Sequence, residues 1–145
     1  MKPVKSSFIF KTGLILLFFV IVGVIVYLLY NYAVNSPFRI SSEQAKQMIL
    51  NNEFPLILDV RTDLERKTLG FFPDSVHIEK KNLANDIPRY YPNKNIKILV
   101  YCNTGHRARV ATEQLHEMGY KNAVYISSGY NSLKMNSSGK EGLIL

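Results

Sequence analysis

A chain of 145 residues has room for one ordinary domain and a short appendage, which excludes a two-domain enzyme. Its formal charge of +7 suggests nucleic acid, but Lys2, Lys5 and Lys11 supply three of those charges ahead of the first apolar run. The remaining +4 includes Arg107 and Arg109, which fit a local anion site, so no general basic face is left and nucleic acid is not an expected partner. Cys102 is the only cysteine, which excludes an internal disulfide framework and an internal resolving thiol.

The first element in the chain is a run of apolar, uncharged residues over 13–30. At about 1.5 Å of rise per residue it makes a helix of roughly 27 Å, close to the thickness of a bilayer's hydrocarbon core. Uncharged neighbours extend it to Thr12 and Val34, and Tyr27, Tyr30 and Tyr32 gather at its C-terminal end, where amphipathic rings favour the lipid–water interface. The expected organisation is a short basic tail over 1–12 and a transmembrane helix over 13–34. A cleavable signal peptide would be shorter, and the best cleavage point, after Ser36, is followed by an obstructive Pro37. Three lysines and the free amine precede the span, against Arg39 and Lys46 after it. That bias places the N-terminus in the cytoplasm and the domain on the extracytoplasmic side of the membrane.

From residue 36 short apolar runs alternate with helix-like segments, the pattern of an α/β domain whose parallel sheet is covered on both faces. The domain is expected over 36–135, followed by a flexible tail over 136–145. A strand at 38–40 leads to Ser41, which with Gln44 makes a capping box, and Ala45, Met48 and Ile49 then fall at helical spacing. A buried strand at 56–58 ends in Asp59-Val60-Arg61, a helical turn at 62–67 follows, and a third strand is read at 76–78. The polar stretch 80–95, broken by proline, is expected to cover a sheet edge. The central strand is 98–101 and the helix over 107–118 follows almost at once. Val110, Ala111, Leu115 and Met118 form its apolar stripe, Arg109 and Glu113 pair on its wet face, and Gly119 ends it. A last strand at 123–126 turns through Ser127-Ser128-Gly129-Tyr130 into a short helix.

Only 102–106 joins the central strand to its helix, so Cys102 lies where α/β proteins place their ligands. Backbone N–H groups of such a loop and the helix dipole favour a thiolate or oxyanion, and the thiolate is the reactive form of cysteine. Gly105 lets the backbone turn closely around the sulfur. A lone cysteine at a strand end more often packs as a small hydrophobe. Glycine at +3 and arginine at +5 in a strand–loop–helix context favour the chemical role. His106 and Arg107 stand in a first helical turn, where the dipole disfavours basic groups and so implies a compensating anion. His77 and His116 lie far apart in sequence with no ligand spacing, so no metal is expected.

The segment Cys102-Asn103-Thr104-Gly105-His106-Arg107-Ala108 resembles the active-site loop of rhodanese-like domains, C-x-x-G-x-R followed by a small residue. The likeness runs over about 38–134: Ile40-Ser41 before the first helix, Leu58-Asp59-Val60-Arg61, the stretch from Gly70 to Pro73 before Val76-His77-Ile78, and Gly119-Tyr120 all fall at that family's landmarks. Phe71 stands where a histidine is usual, Ser128 replaces the first glycine of a Gly-Gly pair, and Leu133 replaces a tryptophan. The resemblance implies a five-stranded, mostly parallel sheet between helices, preceded here by the membrane helix. It implies a sulfurtransferase in which Cys102 carries sulfur as a persulfide without any cofactor. The residues of 103–108 would cradle the anion, with Arg107, His106 and Arg109 facing the donor. Asp59 and Arg61 would tie the strand end beneath the loop. Its partners would be a small sulfur donor such as thiosulfate and a thiol or cyanide-like acceptor, with a protein acceptor unspecified.

Two rivals come from other classes. Cysteine-based phosphatases of this fold space cysteine and arginine as C-x5-R, whereas Cys102 and Arg107 are spaced C-x4-R. A noncatalytic binding module or persulfide carrier at a membrane is the second, and such modules usually lose the cysteine that this chain retains.

Overall fold

The computed structural model describes residues 5–133 and divides the chain between Ser36 and Pro37 into two compact units. The tail expected at 136–145 lies outside the described residues. The first unit is a single helix, α1, Lys5–Val34, beginning earlier than the apolar run itself. Within it Lys11–Tyr32 is long and apolar enough to cross a membrane, and large apolar side chains such as Phe18, Phe19, Leu28 and Leu29 are exposed along it.

The second unit alternates strands and helices. The strands are β1 (Arg39–Ile40), β2 (Leu56–Asp59), β3 (Val76–His77), β4 (Ile98–Tyr101) and β5 (Ala123–Ile126). Between them run the helices α2 (Ser42–Leu50), α3 (Asp63–Leu69), α4 (Leu83–Tyr90) and α5 (His106–Glu117), with 3₁₀ turns at Lys80–Asn82 and Tyr130–Leu133. The sheet has five strands in the order β1-β5-β4-β2-β3, and every pairing is parallel. In register, Leu58 pairs with Val100, Asp59 with Tyr101, and Val100 with Tyr125.

Parallel strands covered on both faces need apolar side chains on both, and all four residues of β2 and of β4 are buried. Strand alternation divides them. Leu56, Leu58, Ile98, Val100 and Cys102 face Leu83, Ile87, Ala108, Ala111 and Leu115, whereas Ile57, Leu99 and Tyr101 face Ala45, Phe72, Tyr130 and Leu133. Each fully buried Leu or Ile in these layers contributes roughly 1.5–3 kcal/mol of transfer free energy.

Helix starts follow their caps. The Ser41 hydroxyl accepts from the Gln44 N–H at 3.1 Å to open α2. Thr62 and Glu65 form a full capping box that turns the expected helical turn at 62–67 into α3. The 3₁₀ turn Lys80–Asn82 and α4 occupy most of the polar stretch over 80–95, although Pro88 lies inside α4. Leu83 and Ile87, one helical turn apart, are fully buried, while Pro88 is exposed. Burial of that two-residue stripe outweighs the backbone hydrogen bond the proline cannot donate.

Candidate active site

Strand β4 ends at Tyr101, α5 begins at His106, and the loop between them carries Cys102, which is fully buried. The Gly105 N–H donates to Cys102 Sγ at 3.2 Å. Gly105 has φ +82°, and a Cβ there would collide with the backbone of Ser127; Gly129 has φ +77°, and a Cβ there would collide with the Asn103 carbonyl. The Tyr130 N–H donates to the Cys102 carbonyl at 2.7 Å. The sulfur loop and the loop after β5 are therefore pressed backbone to backbone, and glycine is required on both sides of the contact.

Beneath the loop, Asp59 and Arg61 form an ion pair with no exposed side-chain surface. Arg61 Nε donates to Asp59 Oδ1 at 2.9 Å, and its Nη2 donates to Asp59 Oδ2 and to the Gly70 carbonyl, both at 2.7 Å. Its guanidinium carbon lies 4.5 Å from the Tyr130 ring centroid and 5.4 Å from that of Tyr101. Burial opposes the charge on Arg61, but the hydrogen bonds and charge of Asp59 with the contribution of Tyr101 outweigh it, so its pKa lies above the ordinary value. The Tyr101 hydroxyl donates to Asp59 Oδ2 at 2.8 Å and accepts the Phe72 N–H at 3.2 Å. Burial pushes that phenol up to about 12. From this position Arg61 Nη1 reaches the loop, donating to Asn103 Oδ1.

One residue of the site was not foreseen. Glu65, on α3, takes Arg107 Nη1 on Oε2 and Arg107 Nη2 on Oε1, each at 2.6 Å, and accepts Asn103 Nδ2 at 2.6 Å. Thr62 supplies two further donors to Oε2, its N–H and its hydroxyl, both at 2.9 Å. The hydrogen bonds from Arg107 hold the Glu65 carboxyl down at about 2, and in return Glu65 raises the pKa of Arg107. This is the anion that compensates a guanidinium in the first turn of α5. Thr62-x-x-Glu65 is a capping-box signature, and it was the sequence signal for that side chain. Asn103 joins the two ion pairs, since its Oδ1 accepts from Arg61 Nη1 at 3.2 Å while its Nδ2 serves Glu65.

Thr104 and His106 are exposed at the rim, and Ala108 is buried against the sheet. Arg109 pairs with Glu113 at 2.9 Å along α5. Phe71, in the position where the family has histidine, lies under the Arg66 guanidinium at 3.9 Å. Ser128, where a glycine is usual, shares hydrogen bonds with Ser42 and Ser132, and Leu133 is fully buried in place of a tryptophan. His116 contacts the Ala123 carbonyl at 2.8 Å and stacks on Phe38. Among the described residues, Asp63, His77 and Glu79 bring potential metal ligands together.

A buried sulfur held by a backbone N–H at the start of a twelve-residue helix suits a thiolate nucleophile or a sulfur anion bonded to it. The family model of the rhodanese-like domain matches residues 41–136. A rhodanese-like domain protein of Staphylococcus aureus is 28% identical, with a TM-score of 0.58 over 72% of this chain and 94% of that one. A human single-domain sulfurtransferase shares the fold at 20% identity, with a TM-score of 0.56 over 66% of this chain and 93% of that one. A tRNA uridine(34) hydroxylase of Buchnera aphidicola subsp. Schizaphis graminum is 26% identical over 86 residues, which are 57% of this chain and 27% of the hydroxylase. The chain therefore spans about a quarter of that relative's length.

Proposed function

We propose that this chain, which belongs to the rhodanese-like domain family, moves sulfane sulfur from a donor such as thiosulfate to a thiophilic acceptor through a persulfide on Cys102. The observation that carries the reading is the Gly105 N–H on Cys102 Sγ, in a loop that keeps the C-x-x-G-x-R pattern between β4 and α5.

In the first step the Cys102 thiolate attacks the outer sulfur of thiosulfate. An Sγ–S bond forms, the donor's S–S bond breaks, and sulfite leaves with the bonding pair. In the second step a thiolate or cyanide attacks the outer persulfide sulfur, and Cys102 departs as thiolate. No net oxidation occurs and no cofactor is consumed. The loop amides and the N-terminus of α5 stabilise the negative charge on the outer sulfur. Arg107 has five N–H donors and Glu65 takes two of them, so the remainder can meet the donor's sulfonate, with help from His106 and Arg109. Asp59 and Arg61 position the loop from below.

Helix α1 would hold the domain at a membrane, with the N-terminus in the cytoplasm and the domain on the extracytoplasmic side, as the lysines before the span favour. Protease added to intact cells should digest the domain; a domain digested only after the cytoplasmic face is opened would overturn that orientation.

The chemistry is tested by mass spectrometry. Incubation of the folded chain with thiosulfate should add one sulfur, about 32 Da, at Cys102, and cyanide or a thiol should remove it, as a covalent intermediate requires. Folded protein that acquires no such adduct would leave a binding module rather than a transferase.

A further inference from the structure

The expectation of no metal rested on the spacing of His77 and His116, and the fold assembles a different set. One ligand atom from each of Asp63, His77 and Glu79 lies within 4.8 Å of the other two. His77 ends β3, and Glu79 follows two residues later, just ahead of the 3₁₀ turn at Lys80–Asn82. Asp63 opens α3 opposite them, and its N–H donates to Glu79 Oε1 at 3.1 Å.

The ring of His77 decides what the cluster needs. Its Nε2 lies 2.8 Å from the Arg61 carbonyl oxygen. A carbonyl can only accept, so Nε2 carries the proton, and in the neutral ring Nδ1 presents a lone pair. That lone pair stands 3.2 Å from Asp63 Oδ1, with Glu79 alongside. A lone pair facing carboxylate oxygens at this distance is an arrangement that a bound metal ion satisfies. Two carboxylates and a neutral imidazole balance a divalent ion in charge. The backbone carbonyl on the remote nitrogen is the kind of outer contact that orients metal-bound histidines.

We propose that Asp63, His77 and Glu79 bind a divalent first-row transition-metal ion of the zinc type, with water completing the shell. The mixed imidazole and carboxylate set suits zinc and its neighbours better than magnesium or calcium, which take oxygen ligands. Bonds of about 2.0–2.2 Å would draw the three atoms to separations of roughly 3.5 Å. Asp63, 67% exposed, has the freedom to close that gap. Lys81, whose Nζ lies 2.7 Å from Glu79 Oε2 on a largely exposed side chain, competes with the ion for the same carboxylate. Because His77 hangs from the carbonyl of Arg61, an ion here would brace the residue that supports Asn103. The proposal rests on coordination and is independent of the sulfur chemistry.

The test is calorimetric titration of zinc chloride into the untagged full-length chain in detergent, carrying Cys102→Ser so that the thiolate cannot capture the metal. One equivalent should bind and raise the melting temperature. His77→Gln and the exposed Asp63→Asn should each weaken binding by at least the ~10-fold that loss of even an outer-shell partner costs. Lys81→Met should bind as tightly as its parent or more so. Cobalt(II) added to the chain with Cys102 intact should give visible ligand-field bands without a strong near-ultraviolet thiolate band. No binding, unchanged affinity in Asp63→Asn, or a thiolate–cobalt band would overturn the site.

Discussion

Glu65 and Arg107, 42 residues apart in the chain, meet through two parallel contacts of 2.6 Å, so that α3 grips the first turn of the helix that follows the sulfur loop. A two-point guanidinium–carboxylate contact fixes orientation as well as distance, and Asn103 extends the grip to the loop itself.

Glu65→Gln should therefore destabilise the domain in a pH-dependent way. The folded carboxyl titrates at about 2, below its ordinary 4.5, so its stabilisation is fully present above pH 4.5 and is lost as pH falls toward 2. With the side chain 26% exposed, solvent screening reduces the contribution to on the order of 1–2 kcal/mol. Thermal unfolding of both chains should show a constant gap from pH 6 to 8 that closes between 4.5 and 2. A gap that stays open at pH 2 would show that the pairing is not its source.

Sulfur transfer separates the nucleophile from its neighbours. Cys102→Ser should abolish thiosulfate turnover, whereas Arg107→Ala should lower kcat/KM by about thirtyfold, the equivalent of one lost charge-assisted contact of about 2 kcal/mol. Wild-type activity in Cys102→Ser would refute the assigned chemistry.

Gly129→Ala should be among the most damaging single-methyl additions in the domain. Its new Cβ would meet the Asn103 carbonyl, and its φ of +77° adds backbone strain of roughly 1 kcal/mol or more. Lowered melting and loss of the Cys102 adduct should occur together. Gly119→Ala serves as the control: its φ is also positive, at +95°, but the nearest atom to a Cβ is the Lys94 side chain at 4.0 Å, so melting should fall while the adduct still forms.

Alkali should probe the buried floor of the site. The Tyr101 phenol, raised to about 12 by burial, keeps its proton in the folded state while the unfolded chain ionises near 10. The stability it contributes is fully present below pH 10 and is lost as pH rises to 12. Tyr101→Phe leaves Asp59 and the Phe72 N–H each one partner short, at a cost of about 1–3 kcal/mol near neutrality. The gap to wild type should narrow between pH 10 and 12, and a gap indifferent to alkali would contradict the network.

What the sequence disclosed depended on how local each signal was. The apolar runs of β2, β4 and β5, the cap of Ser41 and the stripe on α5 are all written within a dozen residues, and each appears in the structure near its expected bounds. The cysteine loop was legible for the same reason, since glycine and arginine stand within five positions of Cys102. Helix α4 was hidden because its apolar stripe has only Leu83 and Ile87 fully buried, with a proline beside the second. Glu65 was hidden because its partners lie on another helix and loop. A capping signature can mark the start of a helix, but it does not say what the capping carboxylate reaches on its far side.

In the proposed chemistry, the complete burial of Cys102 would set how a sulfur atom is handed on. A thiol exposed at the surface would be open to any oxidant or bulky alkylating agent, whereas this one is shielded. Loading would lengthen the residue: the added atom would stand about 2.05 Å beyond Sγ along the new bond. The reach toward an acceptor would then belong to the cargo rather than to the carrier, and delivery would return the residue to its sheltered length.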